Sequence, residues 1–273
     1  MKLGESRKVF IETYGCQMNI ADTELILGLL KPEGYEAIRA PDQADVILLN
    51  TCAIRERAEA RIIGRLGELA KYKARKPGVV LGLTGCMAQH HRETLLDKAP
   101  FLDLVLGPDA YRNLPALLRQ EEADEPLVSV RLDRDETYAD VTPARGAGIR
   151  AWVTVMRGCD KFCTFCIVPY VRGRERSVPA GALLNQVRVL AEQGYKEVIY
   201  LGQTVNAYRD GDVDFGRLLH QTAQIEGIER IRFTSPHPSD MDDSAIDAMA
   251  TCSKVAPYLH LPLQAASNRV LAR

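Results

Sequence analysis

The chain is short of several things, and each shortage excludes something. It has almost no net charge: 35 Lys and Arg stand against 36 Asp and Glu, leaving −1. A generally basic nucleic-acid binder is excluded, although a local basic face is not. No apolar run approaches the roughly 20 residues that a membrane-spanning helix needs. The first eight residues are polar and charged and lack the apolar core of a secretory signal. These absences predict a cytoplasmic protein with no membrane association. No internal repeat or low-complexity segment is found, so a solenoid is excluded. An even cysteine count is missing too. Seven cysteines cannot all pair within one chain, and a reducing compartment disfavours disulfides in any case. Clustered thiols then point to metal or catalysis.

What is present is ordinary globular material. Of 273 residues, 46% are apolar, enough for a sizeable core in one large domain or two smaller ones. Residues 1–118 alternate strand-like and helix-like stretches. Strands are expected at Val9–Thr13, Asp45–Asn50, Val79–Thr84 and Leu102–Leu106. Helices are expected at Ala21–Leu30, about Ile54–Lys73, His91–Lys98 and Asn113–Arg119. Short apolar runs bounded by turn residues suit strands buried on both faces, and this alternation predicts a parallel sheet in an α/β layer.

Residues 121–148 change character. An acidic opening (Glu121, Glu122, Asp124, Glu125) is followed by Pro126, Pro143, Gly146 and Gly148 around a strand-like Leu127–Leu132. The punctuation marks an inter-domain linker. Alternation resumes at 149, with strands expected at Ala151–Met156, Val198–Leu201, Ile231–Thr234 and Tyr258–Leu261. Helices are expected at Ala180–Gln193, Phe215–Ile225 and Ser244–Ala250. Repeated βα units indicate a barrel or part-barrel. Four strands cannot close one, so a barrel truncated at the C-terminus is the expectation. The division read from sequence is 1–120, 121–148 and 149–273.

Cys159, Cys163 and Cys166 form a C-x3-C-x2-C triad directly after the first strand of the second domain. Thiolates are the natural ligands of iron–sulfur clusters. Three of them on one loop suit three irons of a four-iron cluster and leave one iron open. Structural zinc usually takes four ligands, often as paired CxxC units. The spacing favours a cluster over zinc or over buried structural thiols. Cys16, Cys52 and Cys86 each follow a different predicted strand of the first domain. Ligands bind at that end of open α/β sheets, which favours a second cluster over three buried core cysteines. Cys252 has no cysteine neighbour and reads as structural. The five histidines show no metal-ligand spacing, and His90–His91 reads as a helix start or a surface pair.

Other candidates are weaker. Gly202, Gln203, Asn206, Ser235, His237 and Gln264 are residues at the ends of the later strands, as a cofactor rim would be, although turn chemistry accounts for each of them equally well. Arg172 and Arg174 offer bidentate donors for a carboxylate or phosphate, with solvated arginine as the commoner outcome. Residues 55–76 carry Arg55, Arg57, Arg61, Arg65, Lys71, Lys73, Arg75 and Lys76 against Glu56, Glu59 and Glu68. That is either a nucleic-acid-facing patch or a solvated helix face.

The C-x3-C-x2-C spacing resembles the radical S-adenosylmethionine (SAM) superfamily. Taken with TYGCQMNIADTE (13–24), LLNTCAIRERA (48–58), TGCMAQ (84–89) and RGCDKFCTFCIVPYVRGRERS (157–177), it resembles the methylthiotransferase family. LGQTVNAY (201–208), RFTSPHPSD (232–240) and LHLPLQAASNRVL (259–271) extend the likeness along nearly the whole chain. The resemblance implies two 4Fe–4S clusters, on Cys16, Cys52 and Cys86 and on Cys159, Cys163 and Cys166. It places SAM contacts at Gly202, Gln203 and Asn206, with Ser235, His237 and Gln264 on the same rim. It implies transfer of a methylthio group to carbon 2 of a dimethylallyl-adenosine beside the anticodon of tRNA. Reduced flavodoxin or ferredoxin would supply electrons to a monomeric enzyme. Related family members act on threonylcarbamoyl-adenosine in tRNA or on an aspartate of a ribosomal protein. A cluster-carrying electron-transfer or scaffold protein is the non-enzymatic alternative.

Overall fold

A computed structural model describes residues 6–53, 56–120 and 125–272. The polar start at 1–5, Arg55 of the basic stretch, and the acidic residues Glu121, Glu122 and Asp124 lie outside the described residues, as does the side chain of Arg57. The chain divides into two units, 1–146 with 158–176, and 147–157 with 177–273.

The first unit is built on a six-stranded parallel sheet. Its elements run β1 (Arg7–Tyr14), α1 (Gln17–Leu30), β2 (Tyr35–Ala37), β3 (Val46–Thr51), α2 (Glu56–Arg75), β4 (Val80–Gly85), α3 (Cys86–His91), α4 (Leu95–Lys98), β5 (Leu104–Leu106), α5 (Leu114–Leu117) and β6 (Leu127–Ser129). The strand order is β2-β1-β3-β4-β5-β6. β3 lies between β1 and β4 and every one of its residues is buried. Its side chains alternate between two cores. Ile47 and Leu49 pack with Ile62, Leu66 and Leu69 of α2, while Val46 and Leu48 pack with Leu25, Ile26 and Leu30 of α1. This two-sided burial is why the strand reads as an unbroken apolar run. α1 hands over to a short 3₁₀ turn with Pro32 at its start and stops at Gly34, whose φ is +81°. α2 ends ahead of Pro77, which can neither donate an N–H nor tolerate a continuing turn.

Of the segment read as a linker, residues 125–146 belong to this unit. Leu127–Ser129 pairs in parallel with β5 as the sixth strand. Downstream, Tyr138 is buried; its hydroxyl donates to Pro108 O (2.9 Å) and accepts the Tyr111 N–H (3.1 Å). Arg145 pairs with Glu24 at 3.0 Å, and Ala144 N–H reaches Glu24 O. Pro126, Pro143 and Gly146 lie in irregular backbone of an anchored segment. Local composition does not reveal the distant partners that hold it.

The second unit carries β7 (Arg150–Thr154) and β8 (Met156–Arg157). In chain order α6 (Val168–Arg172) follows inside the first unit, and β9 (Arg176–Ser177) lies at the boundary. Then come α7 (Ala180–Glu192), β10 (Glu197–Leu201), β11 (Arg209–Asp210), β12 (Val213–Asp214), α8 (Phe215–Ala223), β13 (Arg230–Phe233), α9 (Asp243–Thr251) and α10 (Asn268–Leu271). The main sheet is parallel, in the order β13-β10-β7. Gly194 follows α7 with φ +91°, the expected helix-stopping conformation. The fourth strand expected at Tyr258–Leu261 is not formed. Ladder pairing beyond β13 stops after Ile231 N–H bonds Lys254 O and Ala256 N–H bonds Ile231 O. Pro257 comes next and has no N–H to give, and Pro262 closes the stretch on its other side.

Candidate metal centre and cofactor rim

The first three cysteines stand at the C-terminal ends of three adjacent strands. Cys16 caps α1 after β1, Cys52 follows β3, and Cys86 opens α3 after β4. Two glycines make the approach feasible. A Cβ on Gly15, at φ +150°, would lie 2.4 Å from Asn19 Oδ1 and 2.9 Å from Cys52 Cβ. A Cβ on Gly85, at φ +90°, would lie 2.5 Å from Thr51 O. Below the thiols runs a buried polar network. Asn19 Nδ2 donates to Asn50 Oδ1 (3.1 Å) and Thr51 O (3.2 Å), and Asn50 Nδ2 returns to Asn19 O (2.8 Å). Thr51 Oγ1 donates to Thr84 O at 3.0 Å, and Asn19 Oδ1 accepts the Cys16 N–H at 3.3 Å. Such satisfied networks fix loops rigidly. Sequence reasoning passed over Asn19 and Asn50; the signal was a polar Asn ending the otherwise apolar VILLNT strand.

The three thiols share hydrogen bonds with one another through Cys52. Cys52's hydrogen bond lowers Cys16 to about 6, against burial, with the Arg172 charge helping. Cys86 falls to about 7 for the same first reason, again with Arg172 helping. Cys52 is pushed up, because the shared proton stays on it. Of the two outcomes the sequence offered for Arg172, the carboxylate partner is the one the structure shows. Arg172 is buried, not solvated. Its Nε donates to Cys86 Sγ at 3.0 Å, and its Nη1 pairs with the buried Asp22 at 2.5 Å. Its Nη2 is buried with no hydrogen-bond partner.

The second triad sits on the loop between β8 and α6. Gly158, at φ +79°, enters so close to the returning chain that a Cβ would lie 1.9 Å from Arg174 O. Cys159 N–H bonds Gly173 O at 3.1 Å and Cys166 N–H bonds Cys163 O at 2.9 Å. Asp160 and Glu175 brace the base of the loop, each carboxylate accepting the other's N–H (3.2 and 3.1 Å). Arg174 pairs with Asp160 and stacks over Phe162 at 5.2 Å. Burial pushes the Cys159 thiol up, with Glu175 and the neighbouring thiols adding to it and the Lys161 backbone opposing. Cys163 is exposed and Cys166 half-buried, so the loop presents sulfur outward.

Both donor sets suit an iron–sulfur cluster. Each is three soft sulfurs on backbone shaped by positive-φ glycines, and the first has a buried guanidinium N–H left over for an acceptor.

In the second unit, five of the six rim candidates gather where β10 and β13 end. Asn206 Nδ2 donates to His237 O (2.8 Å) and its Oδ1 accepts the His237 N–H (2.7 Å), joining the two loops. Val205 N–H bonds Ser235 O, and Ser235 holds φ +60°. Gly202 leaves room for Met156, whose Cγ a Cβ would meet at 2.7 Å. Gln203 Oε1 is buried without a hydrogen-bond partner. His237 Nδ1 accepts the Ser239 N–H at 3.2 Å, so its neutral ring carries the proton on Nε2. Gln264 stands apart, at φ +52° in an irregular stretch.

Remaining candidates resolve differently. Cys252 is half-buried, with its Sγ 2.9 Å from His220 Nδ1, and His220 Nε2 lies 3.2 Å from Asp247. His90 and His91 close α3 instead of starting a helix, and both face Glu59. Much of the basic charge on and after α2 is spent at home: Arg65 on Glu12 and Glu68, Lys73 on Asp103, Lys76 on Asp45.

Residues 8–107 match the family described as Uncharacterized protein family UPF0004, and residues 153–273 match the Radical SAM superfamily. The chain is a radical SAM protein that carries a UPF0004 domain. Its relatives include the tRNA-2-methylthio-N(6)-dimethylallyladenosine synthases of Amoebophilus asiaticus (42% identical, covering 97% of this chain and 58% of that protein) and Chloroherpeton thalassium (44%, covering 98% and 60%). That of Citrifermentans bemidjiense is 45% identical, covering 99% and 63%. The chain thus spans about three fifths of the length of these relatives. Among solved structures it resembles the radical SAM methyltransferase TsrM from Kitasatospora setae, with cobalamin and a [4Fe-4S] cluster bound. The TM-score is 0.62 at 13% identity, covering 92% of this chain and 60% of that one. It also resembles the cobalamin-dependent radical SAM enzyme OxsB, at TM-score 0.62 and 14% identity, covering 98% and 45%. These likenesses establish the fold. Radical SAM membership implies a [4Fe–4S] cluster and SAM as cofactors. Among the described residues no helix is long and apolar enough to cross a membrane.

Proposed function

We propose that this chain is the catalytic part of a tRNA methylthiotransferase that places a methylthio group on carbon 2 of a dimethylallyl-adenosine beside the anticodon. The observation that carries this reading is the second, separate set of three thiols. A radical SAM protein needs one triad, and here Cys16, Cys52 and Cys86 converge at the strand ends of a further domain. We assign one 4Fe–4S cluster to them and one to Cys159, Cys163 and Cys166.

When bound, the clusters and SAM supply radical hydrogen abstraction and a methylated sulfur. The chain's own residues do the rest. Gly158 and the Asp160–Glu175 brace hold the second triad open on a loop with no fourth protein ligand of its own. Asn206 locks the β10 and β13 loops together, and His237 offers an Nε2 proton at that rim. Gly202, Gln203, Asn206, Ser235 and His237 are the proposed SAM contacts, with Gln264 a further one. Reduced flavodoxin or ferredoxin is the proposed electron source, and the enzyme acts as a cytoplasmic monomer. The similarity to three synthases of this name supports the substrate.

Anaerobically reconstituted protein, given dithionite, SAM and hypomodified tRNA, should yield 5′-deoxyadenosine and a nucleoside heavier by a methylthio substitution in mass spectra. Cys159→Ala should abolish both products. Cys52→Ala should abolish the methylthio product and keep SAM cleavage. Equal loss of cleavage in the two variants would overturn the division of roles.

A further inference from the structure

Arg172 is a buried cation in contact with one of the proposed cluster ligands, and nothing in the reading above requires it. Its guanidinium is almost fully enclosed, with a side-chain exposure of 3%. A buried charge is costly unless paired, and Asp22, at 0% exposure, supplies the pair. The pair does not use the whole guanidinium. Nε is spent on Cys86 Sγ, and Nη2 remains enclosed with no hydrogen-bond partner.

The backbone holds this side chain from both sides. Val171, next to it, is buried in the core beneath β3 and β4. The Arg172 carbonyl accepts from Arg176 Nη2 (3.0 Å), and Arg176 forms a bidentate pair with buried Asp109 (2.8 and 3.1 Å). Gly173, next along, accepts the Cys159 N–H. Two successive residues therefore touch a cysteine of each triad, within one packed unit.

We propose that Arg172 is a tuning and positioning residue for the iron–sulfur cluster on Cys16, Cys52 and Cys86, donating N–H···S hydrogen bonds to the Cys86 thiolate and, through Nη2, to a cluster sulfide. The inference rests on the two-cluster reading. Hydrogen bonds to sulfur and nearby positive charge raise the potential of such clusters, and outer partners orient their ligands. A protein with two clusters near each other gains by holding them at different potentials, because the electron then goes to a defined one.

The test uses the full chain with Cys159, Cys163 and Cys166 changed to Ala, so that only the first cluster assembles. Redox titration follows its visible absorbance and electron paramagnetic resonance signal, with iron per chain counted alongside. Arg172→Lys keeps the charge and the Asp22 pair but loses the fork. At a fixed poise its ratio of reduced to oxidised cluster should fall about tenfold, which for a one-electron couple is about 59 mV. The Asp22→Asn/Arg172→Met double variant removes the donors without changing net charge or stranding Asp22, and should fall in the same direction. Asp22→Asn alone removes a neighbouring negative charge, keeps the donors, and should shift the ratio upward. A general packing defect would not reverse sign in this way. In the complementary chain, with Cys16, Cys52 and Cys86 changed to Ala, Arg172→Lys should leave the other cluster's potential unmoved. If the first cluster never assembles on unsubstituted Arg172, the two-cluster reading fails. If it assembles and the Arg172 variants titrate like their parent, the tuning role fails and the two-cluster reading stands.

Discussion

Glycines decide where the sulfurs can stand. Gly158 and Gly34 both hold left-handed φ values, +79° and +81°, but their surroundings differ. Gly34 has open space where a Cβ would be, whereas at Gly158 it would be driven into Arg174 O. Gly34→Ala should cost only the conformational penalty, about 1 kcal/mol. Gly158→Ala adds a backbone collision and should cost roughly 2–3 kcal/mol while lowering the iron bound at Cys159, Cys163 and Cys166. Urea midpoints and iron counts on both variants check this. Equal midpoints would mean that the loop relaxes freely around Gly158. The cysteines themselves were legible, since one thiol follows each of the first three predicted strands of the first domain and three follow the first strand of the second. Arg172 was not. In the sequence it is one arginine among four between 157 and 176, and only its burial against Asp22 and Cys86 separates it from the exposed Arg174.

Helix starts carry much of the second unit's local order. α8 begins at Asp214, whose carboxylate accepts the Arg217 N–H at 2.8 Å and the Ser244 hydroxyl at 2.9 Å. It thereby caps α8 and ties it to the start of α9. Burial acts to raise the Asp214 carboxyl, but the bonds from Arg217 and Ser244 outweigh it and hold it below the ordinary value. A depressed carboxyl stabilises the fold fully above its unfolded value, roughly pH 4, and loses that contribution as pH falls through the folded one. Asp214→Ala should cost about 1–2 kcal/mol at neutral pH, and the gap to wild type should close in acid, measured by urea unfolding at pH 7 and below pH 4. A gap that persists unchanged in acid would show that the charge is not what caps the helix. At this scale the βα alternation read well from apolar runs. The strand expected at Tyr258–Leu261 failed because two prolines interrupt the ladder, a signal present in the sequence and outweighed by the apolar pattern.

For the molecule as a whole, the packing boundary does not follow chain order. The loop and helix at 158–176 pack with residues 1–146. Two buried ion pairs, Asp22–Arg172 and Asp109–Arg176, bind the segment to α1 and to the loop after β5. A chain cut after residue 146 keeps both aspartates and loses both arginines. Leaving a buried charge without its partner costs roughly 3–5 kcal/mol per pair. Residues 1–146 alone should therefore show no cooperative unfolding by circular dichroism, and Asp22→Asn/Asp109→Asn should restore it. A cooperative transition in the unsubstituted fragment would show that the segment is dispensable to the fold.

Sequence alone determined the class of fold, the two triads and the family likeness, because these depend on local periodicity and on residue types at short spacing. Cysteine after strand, glycine before cysteine and buried apolar runs are all written within a few residues of one another. Tertiary structure alone decided that the supposed linker is the sixth strand's home and that the second triad's loop packs with the first domain. It also decided that one arginine among several is a buried donor to Cys86. Each of these depends on pairs more than 20 residues apart in sequence: Val105 with Val128, Arg176 with Asp109, Arg172 with Cys86. Pairs at that range leave no local pattern, and the free energy that selects them, from burial of charge and completion of a sheet edge, exists only once the chain has folded.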